Sequence, residues 1–282
     1  MVKRRTHTGY KKCLNNKIVK LRIIGRTNKN RKNVSKKRTA KHRCSKAMVL
    51  EIYDMYDRFI HYDTAISIHD PNLVYVVGKV IEPNSFDTNL NNIDSTGIHY
   101  FLTEKPVYHM NPESLYGPRE EWYDNGQIKV RKNLKNGNLD GQYERWYDNG
   151  NMMTRCTYND GKNDGLFESW HENGQEYVIC NYKNGILDGI YKEYSKNGTL
   201  IIRFTNVNGK RNGESETWYD NGNRNVSCIY KDGILDGPYE SYHSNGQTKS
   251  VSMSENGSKK YEVIWNSDGE LIWSKIYKHD KS

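Results

Sequence analysis

The sequence predicts an all-β protein: an elongated antiparallel meander of repeated 24-residue β-hairpins, preceded by a small, mainly β N-terminal domain. Three observations carry this expectation. Glycines recur every 24 residues over the second half of the chain. The segments between them are short and rich in aromatic and β-branched residues. Mean hydropathy is −0.97, with 35% apolar residues, too little for one thick core.

The N-terminal part, residues 1–110, is set apart by charge. Residues 1–46 hold 18 Lys and Arg and no Asp or Glu, whereas the rest of the chain carries a net −9. A basic lead of this density favours polyanions: nucleic acid or an anionic membrane surface. Arg31, Lys32, Lys36, Lys37, Arg38, Lys41 and Arg43 are the expected contacts. Ile18–Ile24 alternates like a strand, and the basic run 26–43 reads as a loop.

No stretch approaches the ~18 apolar residues of a membrane helix, and no apolar region follows the basic Met1–Arg5. The five cysteines are odd in number and form no Cys-x-x-Cys pair. The expectation is an intracellular protein, in host cytoplasm or virion if viral, and not a secreted one. His7, Cys13, His42 and Cys44 have no common zinc-finger spacing, so no metal and no cofactor is expected.

From residue 111 onward the repeats take over. Gly117, Gly141, Gly165, Gly189, Gly213 and Gly237 open six units. Nine residues later each has an Asn-Gly pair, from Asn125-Gly126 to Asn245-Gly246. A third series runs from Gly137 to Gly257. Asn-Gly is the strongest signal for a two-residue type I′ turn, so each pair is read as a hairpin tip, with the third series turning into the next unit. Tyr261–Tyr277 breaks register, with Asp268-Gly269 one residue early, and reads as a degenerate hairpin that caps the open edge.

Alternation from a two-residue tip divides the side chains between two faces. One holds Tyr143, Phe167, Tyr191, Tyr239 and the three repeat cysteines, Cys156, Cys180 and Cys228. The other holds Trp122, Trp146, Trp170, Tyr194, Trp218 and Tyr242, beside Glu120, Glu144, Glu168, Glu216 and Glu240. Glu120 is expected opposite Arg131 and Glu144 opposite Arg155. The aromatic and acidic row is the candidate binding strip for a protein partner. The competing reading is that it staples neighbouring hairpins together.

The pattern Asp140–Gly150 (DGQYERWYDNG), with Tyr182–Gly189, resembles the variant class of MORN repeats over about 117–277. The resemblance implies a β-hairpin rod used in protein–protein association. Lipid contact is proposed for some members, and some bacterial relatives are antitoxin-like. Lys192, Ser215 and Asn206 depart from the pattern.

Gly9–Cys13 (GYKKC), Arg43–Ala47 (RCSKA) and Gly97–Phe101 (GIHYF) resemble a small domain of unknown function seen in phage and giant-virus proteins, over about 7–110. Its members carry a Cys shortly before Gly-Ile-His, where Asp94 or Ser95 stands here. That resemblance implies no activity.

Phosphate-loop, serine-hydrolase and zinc-protease motifs are absent from the sequence. His61, His69 and His99 occupy the one region where an asymmetric site has room, and His99 reads as a packed strand residue. The expected function is therefore a non-enzymatic protein–protein interaction scaffold. The alternative is association with nucleic acid or an anionic surface through 1–46.

Overall fold

The computed structural model describes residues 7–29, 31, 34–89, 91–109 and 115–277. The chain forms two compact units, Met1–Gly137 with Asp148–Gly150, and Asn138–Tyr147 with Asn151–Ser282.

In the first unit, β1 (His7–Lys12) and β2 (Lys17–Ile23) form a hairpin. The strands β3 (His42–Cys44) and β4 (Ala47–Asp54) come next, so the end of the basic run expected as a loop over 26–43 is a strand. Short strands β5 (Thr64–Ile66), β6 (Val74–Val76), β7 (Val80–Ile81) and β8 (Ile98–Tyr100) follow. The helix α1 (Lys105–His109) leads to the first repeat hairpin, β9 (Gly117–Trp122) and β10 (Ile128–Lys135). The main sheet runs β1-β2-β4-β7, while β3 pairs with β8 and β5 with β6.

Alternation along β2 explains the core. Val19, Leu21 and Ile23 enter one cluster with Val49, Ile52 and Tyr100, while Ile18 faces a second with Tyr53 and Val107. Gly9 is required by close approach: a Cβ there would lie 2.5 Å from the Tyr100 ring.

In the first unit β9 pairs with β10, and in the second unit the repeat strands form an antiparallel meander of thirteen strands among the described residues. Those of the second unit are β11 (Asn138–Trp146), β12 (Met152–Asn159), β13 (Lys162–Trp170), β14 (Glu176–Lys183), β15 (Ile186–Leu187) and β16 (Gly189–Tyr194). They continue with β17 (Leu200–Val207), β18 (Lys210–Trp218), β19 (Arg224–Lys231) and β20 (Ile234–Tyr242). The last are β21 (Thr248–Glu255), β22 (Ser258–Trp265) and β23 (Leu271–Ile276).

The turns correct the sequence expectation. At Asn125-Gly126 only the glycine has positive φ, at 87°. The Tyr123 N–H donates to Gln127 O and the Gly126 N–H to Tyr123 O, which makes a three-residue loop. The two-residue type I′ geometry belongs instead to the third series. Asn136-Gly137, Asp160-Gly161, Asn184-Gly185, Asn208-Gly209, Asp232-Gly233 and Asn256-Gly257 all have positive φ at both residues.

The expected pairing survives because a bulge offsets the extra loop residue. Trp122 pairs with Ile128, the register shifts, and Glu120 then faces Arg131. Glu144 faces Arg155 in the same way. Four Asn of the three-residue loops, Asn125, Asn173, Asn221 and Asn245, have a second task. Asn173 Nδ2 donates to Lys196 O and Asn221 Nδ2 to Ser244 O, linking successive tips. At the opposite edge, Asp164, Asp188 and Asp236 accept the N–H of Asn184, Asn208 and Asn256. The repeated Asp-Gly thereby fastens the next tight turn.

On the inner face Cys156 and Cys180 are buried, and Tyr143–Tyr158 and Phe167–Tyr182 make edge-to-face pairs. The departures Ser215 and Phe204 form one compensated pair. Phe204 stands at the cysteine position, opposite Ser215 at the aromatic position. Arg211 fills the remaining room, 4.3 Å from the Phe204 ring and bonded to Ser215 Oγ.

The terminal hairpin β22–β23 forms as expected, with a three-residue loop at Gly269. Its register offset is absorbed in the bulge before it. Met253 pairs with Tyr261 and Ser254 with Lys259, one residue fewer than the bulges in β13 and β20. All six residues of β23 are exposed.

Candidate interaction surfaces

The aromatic and acidic row sits as the alternation places it, but it is neither bare nor uncompensated. Trp122, Trp146, Trp170, Tyr194, Trp218 and Tyr242 are all half-buried. In the first unit Glu120 lies 2.6 Å from Lys105 Nζ and 3.2 Å from Arg131 Nε, and these two cations hold its carboxyl below the usual range against the opposing effect of burial. Lys105 also lies over the Trp122 ring.

In the second unit Glu168 accepts from Arg155 at 2.7 Å, and that guanidinium sits 5.5 Å from the Trp170 ring. Glu216 pairs with Arg224 at 2.9 Å and Arg203 at 3.7 Å. Glu240 accepts the Tyr242 hydroxyl proton. Glu144 faces Arg155 across the strands, and Lys192, where the glutamate series is broken, faces Arg203. The next residue in the motif stitches units together. Tyr147 Oη donates to Trp170 O, Tyr219 Oη to Tyr242 O, and His171 Nε2 bonds Tyr194 O. The row's local bonding therefore supports hairpin-to-hairpin fastening.

The basic segment divides in two. Lys36, Lys37 and Arg38 are exposed on a loop held in place by its backbone. The N–H groups of Ser35 and Lys36 donate to Asn125 O, and Thr39 Oγ1 donates to Gly126 O. Arg31 and Arg43, in contrast, are buried and engaged. Arg31 donates to Asp124 O at 2.5 Å. Arg43 is fully buried and donates to Asp87 O, Thr96 O and Asn89 O at 3.0, 2.6 and 2.7 Å, beneath the Phe86 ring. These two guanidiniums hold loops and are not surface cations. Lys41 pairs with Asp94 at 2.5 Å, and Lys32 lies outside the described residues.

His99 is half-buried, bonded through Nε2 to Ile93 O, and burial pushes it down to about 4. Among the described residues no cluster of His, Cys, Asp and Glu is arranged to hold a metal ion. Among the described residues no helix is long and apolar enough to cross a membrane.

The terminal hairpin read from the sequence ends in an exposed apolar strand, β23. Leu271, Ile272, Trp273 and Ile276 are 61, 63, 39 and 79% exposed, on a strand that pairs only with β22 among the described residues. Its apolar pattern is legible in the sequence, but it resembles any strand that another strand covers.

Six segments of the chain match the family described as the MORN repeat variant: residues 115–136, 139–160, 163–184, 187–205, 211–232 and 235–256. Residues 2–106 match a family of unknown function (DUF5758). No curated protein matches the chain.

Proposed function

We propose that these MORN-type repeats make the chain a non-enzymatic protein–protein interaction scaffold that adds an extended segment of a partner protein to the edge strand β23. The observation that carries this reading is the exposed apolar edge Leu271–Ile276. An open antiparallel edge offers a row of unpaired backbone groups, and apolar side chains reward their coverage. The aromatic and acidic row acts as internal stitching in this reading, since its carboxylates have cationic or hydroxyl partners within the chain.

An intracellular setting is part of the same proposal, and five free cysteines, all buried, support it because they suit a reducing compartment. A giant-virus-type origin belongs to the same proposal. The Asn-, Lys- and Tyr-rich composition and the pairing of the two matched families support it. Antitoxin-like action has no support in the geometry beyond the repeats themselves.

The test is a nuclease-treated pull-down near 150 mM salt with the full chain, an Ile272→Lys/Ile276→Lys variant and a Lys36→Glu/Lys37→Glu/Arg38→Glu variant. A discrete protein captured by wild type and lost only with the edge variant supports the scaffold. Capture that survives the edge change refutes it. The exposed Lys36–Arg38 loop favours a second reading, contact with nucleic acid or an anionic surface. Binding lost after nuclease and with the loop variant alone would establish that reading instead.

A further inference from the structure

The first unit contains a cleft of about 390 Å³ whose lining includes Lys11, His69, His99, Phe101 and Trp122. Lys11 belongs to the Gly9–Cys13 motif and stands on the inward-facing side of β1, in register with Gly9 and Cys13. The residue is only 7% exposed. Among the described residues its ammonium has no hydrogen bond and no ion pair.

Several of the other charges in the lining, which also holds Lys12, Asp124 and Lys129, are paired within the chain. Lys41 is paired with Asp94, Glu120 with Lys105 and Arg131, and Glu121 with Lys132. Burial holds His69 and His99 below their ordinary pKa, so both are neutral at pH 7. Burial lowers the Lys11 pKa, and its amine has no ion-pair partner among the described residues at the wall of a cleft that also presents Ile68, Phe101, Pro106 and Trp122.

A buried amine is costly to protonate without a counter-ion, and an anion bound in the cleft would supply one. Apolar walls with one convergent charge describe a small-molecule site. We propose that this cleft binds a small anion, a carboxylate or a phosphate monoester joined to a flat apolar group. The anionic head meets Lys11, and the flat group lies against Trp122 and Phe101. The inference is independent of the edge-strand reading.

The experiment is calorimetric titration of the full chain with benzoate, phenyl phosphate and the neutral isostere benzyl alcohol. One-to-one binding of an anion but not of the alcohol is expected, and the preferred anion identifies the head group. Lys11→Met should weaken that anion at least tenfold without lowering the melting temperature. Lys36→Met should change it less than twofold.

Reductive methylation with formaldehyde and borohydride, mapped by mass spectrometry, needs no variant. The bound anion should slow labelling of Lys11 at least fivefold and leave Lys36 unchanged. No binding of either anion at millimolar concentration overturns the proposal. So does equal binding of the alcohol, undiminished affinity in Lys11→Met, or a Lys11 that the anion does not protect.

Discussion

Arg43 lies in the densest basic stretch of the chain, yet it is fully buried with its guanidinium forked over three backbone carbonyls. Arg43→Ala removes the donors of three charge-assisted bonds. Each such bond contributes about 1.5–3 kcal/mol, and leaving a buried acceptor unmatched costs about 1–3 kcal/mol. The losses share one side chain and do not add. Breaking a buried charge network by removing one partner typically costs about 3–5 kcal/mol, and that is the expected loss here.

The assay is urea unfolding of the full chain followed by near-ultraviolet circular dichroism. With a slope of roughly 2 kcal/mol per molar urea, the midpoint should fall by on the order of 2 M. Arg43→Lys keeps the charge but not the planar fork, and should recover less than half of that loss. Lys36→Ala, at an exposed side chain of the same basic segment, should stay within about 0.5 kcal/mol of wild type. An Arg43→Ala loss below about 1 kcal/mol, or one equal to that of Lys36→Ala, would refute the reasoning. Arg43 would then be a dispensable cation.

Three further outcomes are expected. Replacing Trp146 and Trp170 together by Ser should lower stability by roughly 2–4 kcal/mol, because half-buried rings and the Arg155–Trp170 contact are lost. Unchanged thermal unfolding of that variant would return the row to a binding role. Ser215→Tyr should destabilise the second unit, and adding Phe204→Cys should recover stability. The expected coupling is about 1–2 kcal/mol in a double-mutant cycle, and strict additivity would show that the two positions do not share one space.

The remaining expectation concerns pH. Burial pushes His42 down to about 4, against about 6.5 for an exposed histidine. The unfolded chain then binds more protons in that window, so stability rises with pH. His42's contribution is fully present above about 6.5 and is lost as pH falls toward 4. His42→Gln should reduce the slope of urea midpoint against pH between 6.5 and 4.5, and an unaltered slope would show that His42 is not its source.

Much of the repeat region was readable from local signals. The 24-residue period, the hairpin in each unit and the pairing of Glu120 with Arg131 and Glu144 with Arg155 follow from glycine placement and side-chain alternation. The choice of turn did not follow. Asn-Gly occurs in both glycine series, as Asn125-Gly126 and as Asn136-Gly137, and only the cross-strand bonds decide which forms the two-residue turn. The row's partners, such as Arg155 for Glu168, sit on an adjacent hairpin at a fixed offset and were within reach of the repeat register.

The N-terminal region was less legible because its interactions are not local. A run of cations reads as one surface by composition. Folding separates it into an exposed loop, Lys36–Arg38, and two buried guanidiniums whose carbonyl partners lie 44 to 93 residues away. Lys11 looks like one more lysine until β8 and the first repeat hairpin supply the walls around it. The sequence by itself determined the repeat, its period and its faces, since short-range sterics and alternation act within a few residues. Tertiary structure alone decided which charges are buried and which apolar strand residues stay exposed among the described residues, since burial depends on segments that meet only after the chain has folded.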